Sequence, residues 1–178
     1  MDPILPAGLA IGGLSAAWMF VMGLTGWYKD PATINLFLVA VPIQVAGLVW
    51  GLRRTAAEGR NFAQQVAAGT LMSIVAGTVV FGASLVFTTL AFPEYFRELQ
   101  HTYRTILERQ GRSQAEIDAA LAAATAGATP LGQAMQGFVG TMLTGIAASA
   151  LIAIVVRRRA PLFPGPPPDS PAGGPSRG

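Results

Sequence analysis

The chain has 178 residues, of which 52% are hydrophobic and only 12% charged, against roughly 25% charged in an ordinary soluble domain. A single domain of this length cannot hide so much apolar surface in a soluble core. The absence of cysteine removes disulfides, thiolate metal sites and thiol nucleophiles. A lone histidine cannot build a histidine metal site, and a net charge of +3 is no nucleic-acid signature. No cofactor and no nucleic-acid partner are therefore expected.

Mean hydropathy is +0.48, and the apolar residues gather in four uncharged blocks near the length a bilayer requires. They run over residues 8–27, 34–52, 66–92 and 134–156, and none contains Asp, Glu, Lys, Arg or His. The lipid bilayer is the expected surrounding. Trp18, Trp27 and Tyr28 suit a retained first span with an interfacial anchor, and no basic segment precedes it to make a signal peptide. Pro42 is expected to kink the second span, since proline removes a backbone donor and crowds the preceding turn. Arg53, Arg54 and Arg60 follow the second block, and Arg157, Arg158 and Arg159 follow the fourth. Basic ends resist translocation, so both termini are expected in the cytoplasm.

Between the third and fourth blocks, residues 93–133 carry charge, tyrosine and alanine. Pro93 suits the first turn of a new helix, with Glu94 at its positive end. Phe96, Leu99, Tyr103 and Ile106 recur at helical spacing and form one apolar contact face. Gly111 suits the C-terminal cap, Ser113 to Glu116 reads as a capping box opening a second helix, and Thr129-Pro130 opens the next. An extracytoplasmic helical hairpin is the expectation. It serves as a connector over the bundle mouth, a docking surface or a gate.

Small residues recur every fourth position: Gly69, Ser73 and Gly77 in the third block, and Gly137, Thr141, Gly145 and Ser149 in the fourth. Lipid gives helices no hydrophobic reason to associate, so small side chains that admit close backbone approach mark packing faces. The fourth block, with the longest stripe, is expected at the centre or at an oligomer seam. Gln44 and Gln136 are read as interhelical hydrogen-bonding residues, or as the lining of a neutral path. Ionisable groups of the sort that mark proton or ion pathways are missing from all four blocks. Glu94, Glu98 and His101 fall near one helix face, where a shared pocket would make an acid–base cluster. From Ala160 onward, seven prolines and four glycines exclude helix and core, so residues 160–178 read as a proline-rich cytoplasmic tail beyond a membrane domain of residues 1–159.

The order of parts resembles a bacterial family of small four-span membrane proteins, domain of unknown function 4199. The likeness is carried by the basic loop GLRRTAAEGRNFAQQVAAG, the turn QGRSQAEIDAAL and the glycine-rich last span GFVGTMLTGIAASALIAIVVRRR, within residues 8–159. The alanine-heavy second outer helix is less charged than that family's pattern. The resemblance implies the topology and carries over no catalytic or binding residue. The expected fold is thus an all-α integral membrane four-helix bundle with an extracytoplasmic hairpin between the third and fourth spans. The leading functional expectation is a noncatalytic interaction or scaffold subunit of the bacterial cytoplasmic membrane. Its partner would be a second copy or another membrane protein. A carrier or channel for a neutral or apolar small molecule is the alternative, and a membrane enzyme the third.

Overall fold

The computed structural model describes residues 3–157; the proline-rich tail and the arginines at 158 and 159 lie outside them. The described chain is helical, in the order α1 (Ile4–Thr25), α2 (Ala40–Ala57), α3 (Phe62–Val86), α4 (Tyr95–Arg109), α5 (Gln114–Thr125) and α6 (Pro130–Arg157). Four stretches are long and apolar enough to cross a membrane: Ile4–Thr25, Ile34–Ala57, Phe62–Ala91 and Pro130–Val155. Large apolar side chains such as Leu14, Leu24, Leu143 and Leu151 point outward from them.

Local chemistry sets the helix ends. Asn61 and Gln64 form a reciprocal capping box, and α3 therefore starts at Phe62 rather than at Val66. Thr129 accepts from the Gly132 amide at 3.0 Å and starts α6 at Pro130, as expected of Thr129-Pro130, one turn ahead of the fourth apolar block. Pro42 does not kink a helix interior. It sits at the third position of α2, where its missing donor costs little, and the irregularity lies before it as a 3₁₀ segment, Ile34–Val39. Beyond α3 the chain widens into one π turn, Phe87–Ala91, closed by the Phe92 amide on the Phe87 carbonyl at 2.8 Å. Pro93 has no amide to continue that ladder, and the helix stops there.

The spanning helices follow the ring order α1, α2, α6, α3, with α3 also reaching α2 across the diagonal. Within the chain the centre is thus α3, where sequence pointed to the fourth span at the centre or at an oligomer seam. The reason is that α3 packs closely on two sides. One side takes Gly8 and Gly12 of α1, where an added methyl would lie 2.6 Å from Val75 and 2.7 Å from Val79. The other takes α6. Ala7, Ile11, Leu48, Met72, Ala76 and Ala148 form the apolar core between them.

Along the antiparallel α3–α6 seam the small residues meet in register. Gly69 faces Ser149, Ser73 faces Gly145, and Gly77 faces the ring of Phe138. Gly137 faces Val80, and the Thr141 carbonyl accepts from the Gln44 amide at 2.6 Å. Ser73 returns its proton to its own helix, on the Gly69 carbonyl at 2.9 Å. The Ser149 hydroxyl is fully buried and has no hydrogen-bond partner among the described residues. A buried, unsatisfied hydroxyl costs stability, so Ser149→Ala is expected to stabilise the bundle by about 1 kcal/mol. Reversible unfolding in mixed detergent reads that change directly.

Candidate functional site: the trough beneath the hairpin

Helices α4 and α5 form a hairpin over one end of the bundle. Helix α4 ends as expected, with Gly111 in the left-handed region (φ 71°) and the Arg112 amide reaching back to the Leu107 carbonyl. Ser113 and Glu116 then make the capping box that opens α5. Arg104 meets Asp118 at 3.1 Å and holds the two helices together.

The hairpin is fastened to the loop after α1. Gly26, at φ 71°, stops α1 and turns Trp27–Lys29 into a 3₁₀ turn. There Tyr28 is fully buried and its hydroxyl donates to Glu98 of α4. Lys29 pairs with the same carboxylate at 2.8 Å, and Thr102 donates to the Lys29 carbonyl at 3.1 Å. Beneath this clasp lies an aromatic cluster. Tyr28 and Tyr95 rings sit 5.2 Å apart, and Phe87 meets Tyr95 edge-on at 5.3 Å and Phe92 at 4.5 Å. The π turn thereby carries Phe87 under the hairpin.

These surroundings shift three groups. Burial first, and the Glu98 carboxylate second, push the Tyr28 hydroxyl well above the ordinary tyrosine range. Burial does the same to Tyr95. The Lys29 ammonium, then the Tyr28 hydroxyl, hold the Glu98 carboxyl below its ordinary value. The docked form therefore takes up a proton on Glu98 less readily than the undocked form. Its contribution is complete above the ordinary carboxylate pKa of about 4.3 and disappears as pH falls through the lowered value. The protection of α4 amides against exchange, taken relative to the free-chain rate at each pH, is expected to be steady near neutrality and to fall in acid below that range. In Glu98→Gln this acid step should be missing.

Phe96, Leu99, Tyr103 and Ile106, the expected contact face of α4, all line one cleft of about 620 Å³ between α4, α5 and the start of α6. A second cleft of about 630 Å³ lies on the other side of α4, against Ile34, Phe37 and Leu38. Leu99, Tyr103, Ile106, Gln133 and Gln136 line both, so the two are one trough running beneath α4. Among the described residues, no charged side chain lines either cleft. Gln44 and Gln136 therefore part company: Gln44 is buried in helix contacts, and Gln136 lines the trough.

The three candidate acid–base residues make separate contacts. Glu94 pairs with Arg97 at 2.9 Å, Glu98 belongs to the clasp, and His101 is exposed. None of them lines the trough. Among the described residues, no group of three or more His, Asp or Glu is placed to hold a metal ion. The clasp itself was not anticipated from sequence, where Tyr28 reads as an interfacial anchor. Its signal is the Tyr95, Glu98, Thr102 stripe at spacings of three and four, a polar line beside the apolar face of α4.

No curated protein and no solved structure matches the chain. A family model does: the one described as Protein of unknown function (DUF4199) matches residues 7–158, which takes in all six helices but the first three residues of α1, and the chain belongs to that family.

Proposed function

We propose that the chain is a multi-pass protein of the bacterial cytoplasmic membrane, acting as a noncatalytic interaction or scaffold subunit. Both termini lie in the cytoplasm and the α4–α5 hairpin lies outside. The orientation is supported by the arginines at the end opposite the hairpin, where Arg54 stacks over Trp50 at 4.2 Å in the manner of an interfacial anchor. One observation carries the functional reading. The small-residue faces of α3 and α6 are consumed within the chain, whereas the hairpin end offers an open, uncharged trough lined by the apolar face of α4. A face of that kind marks a contact site rather than a reaction centre.

Isolation of the tagged protein at native expression in mild detergent, with mass and composition determined, tests the reading. A stoichiometric membrane-protein partner or a discrete homo-oligomer, lost in Tyr103→Glu, is expected. A bare monomer contradicts it. The trough itself favours a second reading, a carrier for a neutral or apolar small molecule, because its volume falls in the range of small-molecule sites.

A further inference from the structure

The trough has walls of two kinds. Its apolar walls run from Leu99, Tyr103 and Ile106 of α4 to the alanines of α5, while Asn35 and Gln110 add polar groups to the second cleft. Gln133 and Gln136, on the first turns of α6, are its shared polar residues, and their side-chain amides make no hydrogen bond to another described residue. At its far edge Leu38, 67% exposed, belongs to the second membrane-length stretch, so the trough opens sideways at the level of a spanning helix.

We infer that the trough beneath α4 is a binding site for the acyl chain of a membrane lipid, with the amides of Gln133 and Gln136 meeting its ester oxygens. The inference rests on the membrane placement proposed above and on the second reading of the trough, naming a lipid as the apolar molecule it holds; a protein partner seated there is the competing outcome of the test. Charge selects that occupant: the lining is neutral, while the remainder of α4 carries Arg97, Glu98, Arg104, Glu108 and Arg109. A chain leaving the bilayer for the trough exchanges one apolar surrounding for another and loses little. The gain is on the protein side, because apolar walls otherwise wetted are covered. The amides supply donors at the one place where a lipid changes from hydrocarbon to ester.

The test uses the full chain in phosphatidylethanolamine–phosphatidylglycerol vesicles containing a lipid with a diazirine midway along one acyl chain. After illumination, adducts are mapped by peptide mass spectrometry. Adducts are expected within residues 99–106 and 133–136, together with adducts at the outward Leu14 and Leu143. In Ala124→Phe, which fills the trough, the trough adducts should be lost and those at Leu14 and Leu143 kept. Ile106→Gln, which makes one wall polar without filling it, should reduce them in the same pattern. Labelling of Leu14 and Leu143 with an unlabelled trough in the parent chain overturns the inference and leaves the membrane reading intact. Trough labelling unchanged in both variants also overturns it, as do protein–protein crosslinks in its place. Labelling nowhere removes the membrane placement itself.

Discussion

Gly145→Ala is expected to weaken the bundle by about 1–3 kcal/mol, the usual penalty for forcing a methyl into a filled core. The new carbon would lie 2.5 Å from the Ser73 Cβ and 3.0 Å from the Gln44 amide nitrogen. Rotating Ser73 does not help, because its Cβ is fixed by the α3 backbone. Relief requires α3 and α6 to move apart, which would also stretch the 2.6 Å hydrogen bond from Gln44 to Thr141. Ser73→Gly should restore the space, so the double variant is expected to recover most of the loss, with a coupling of about 1–2 kcal/mol. Gly140→Ala is the internal control: it lies on the same helix with nothing within 4 Å of an added methyl. It should be neutral or slightly stabilising. Detergent unfolding followed by circular dichroism reads the parent, the two single variants, the double variant and the Gly140→Ala control. Equal losses at Gly140 and Gly145 would mean that the seam is not where α6 meets α3.

Tyr28→Ala is expected to cost about 3–5 kcal/mol in hairpin docking, the range for removing a buried aromatic ring. It removes the centre of the cluster with Tyr95 and Phe92 and withdraws one of the two donors on Glu98. The spanning helices do not depend on this ring. The expected phenotype is therefore local: protease cleavage and amide exchange rise across α4 and α5, while α1, α3 and α6 keep their protection. Tyr28→Phe keeps the ring and loses only the hydrogen bond, and Glu98 stays paired with Lys29. Its effect should be clearly smaller, about 1.5 kcal/mol or less on the scale of bonds to charged groups. Equal effects of the two substitutions would place the docking energy in the hydroxyl and contradict the role given to the aromatic cluster.

Much of the fold was legible because membrane helices announce themselves by length and by absence of charge. The hairpin was legible because its stop and start signals are local, as at Gly111, Ser113 and Glu116. The helix start at Phe62 fell outside the expected third block because Gln64 and Gln65 lower hydropathy while helping or permitting the helix, whereas the start at Pro130 was legible in Thr129-Pro130. Gln65 is buried, and its side-chain oxygen accepts from Thr55 at 2.8 Å, a contact between residues ten apart across the α2–α3 turn. The central place of α3 was not legible, because a stripe of small residues shows that a face packs closely but not how many faces do so. The clasp and the trough were hidden for a related reason. Each depends on residues far apart in the chain, such as Tyr28 with Glu98 or Phe37 with Gln133, and periodicity within one segment carries no sign of either.

The central claim is that the hairpin and the arginine-rich loop lie on opposite sides of a membrane. Single cysteines in this cysteine-free chain test it most directly, one in place of the exposed Ala119 on α5 and one in place of the exposed Ala57 at the end of α2. With an impermeant thiol reagent on intact cells, the first should be labelled and the second shielded until the cells are lysed. Labelling of the second and shielding of the first would invert the orientation, and equal labelling of both would contradict a spanning protein altogether.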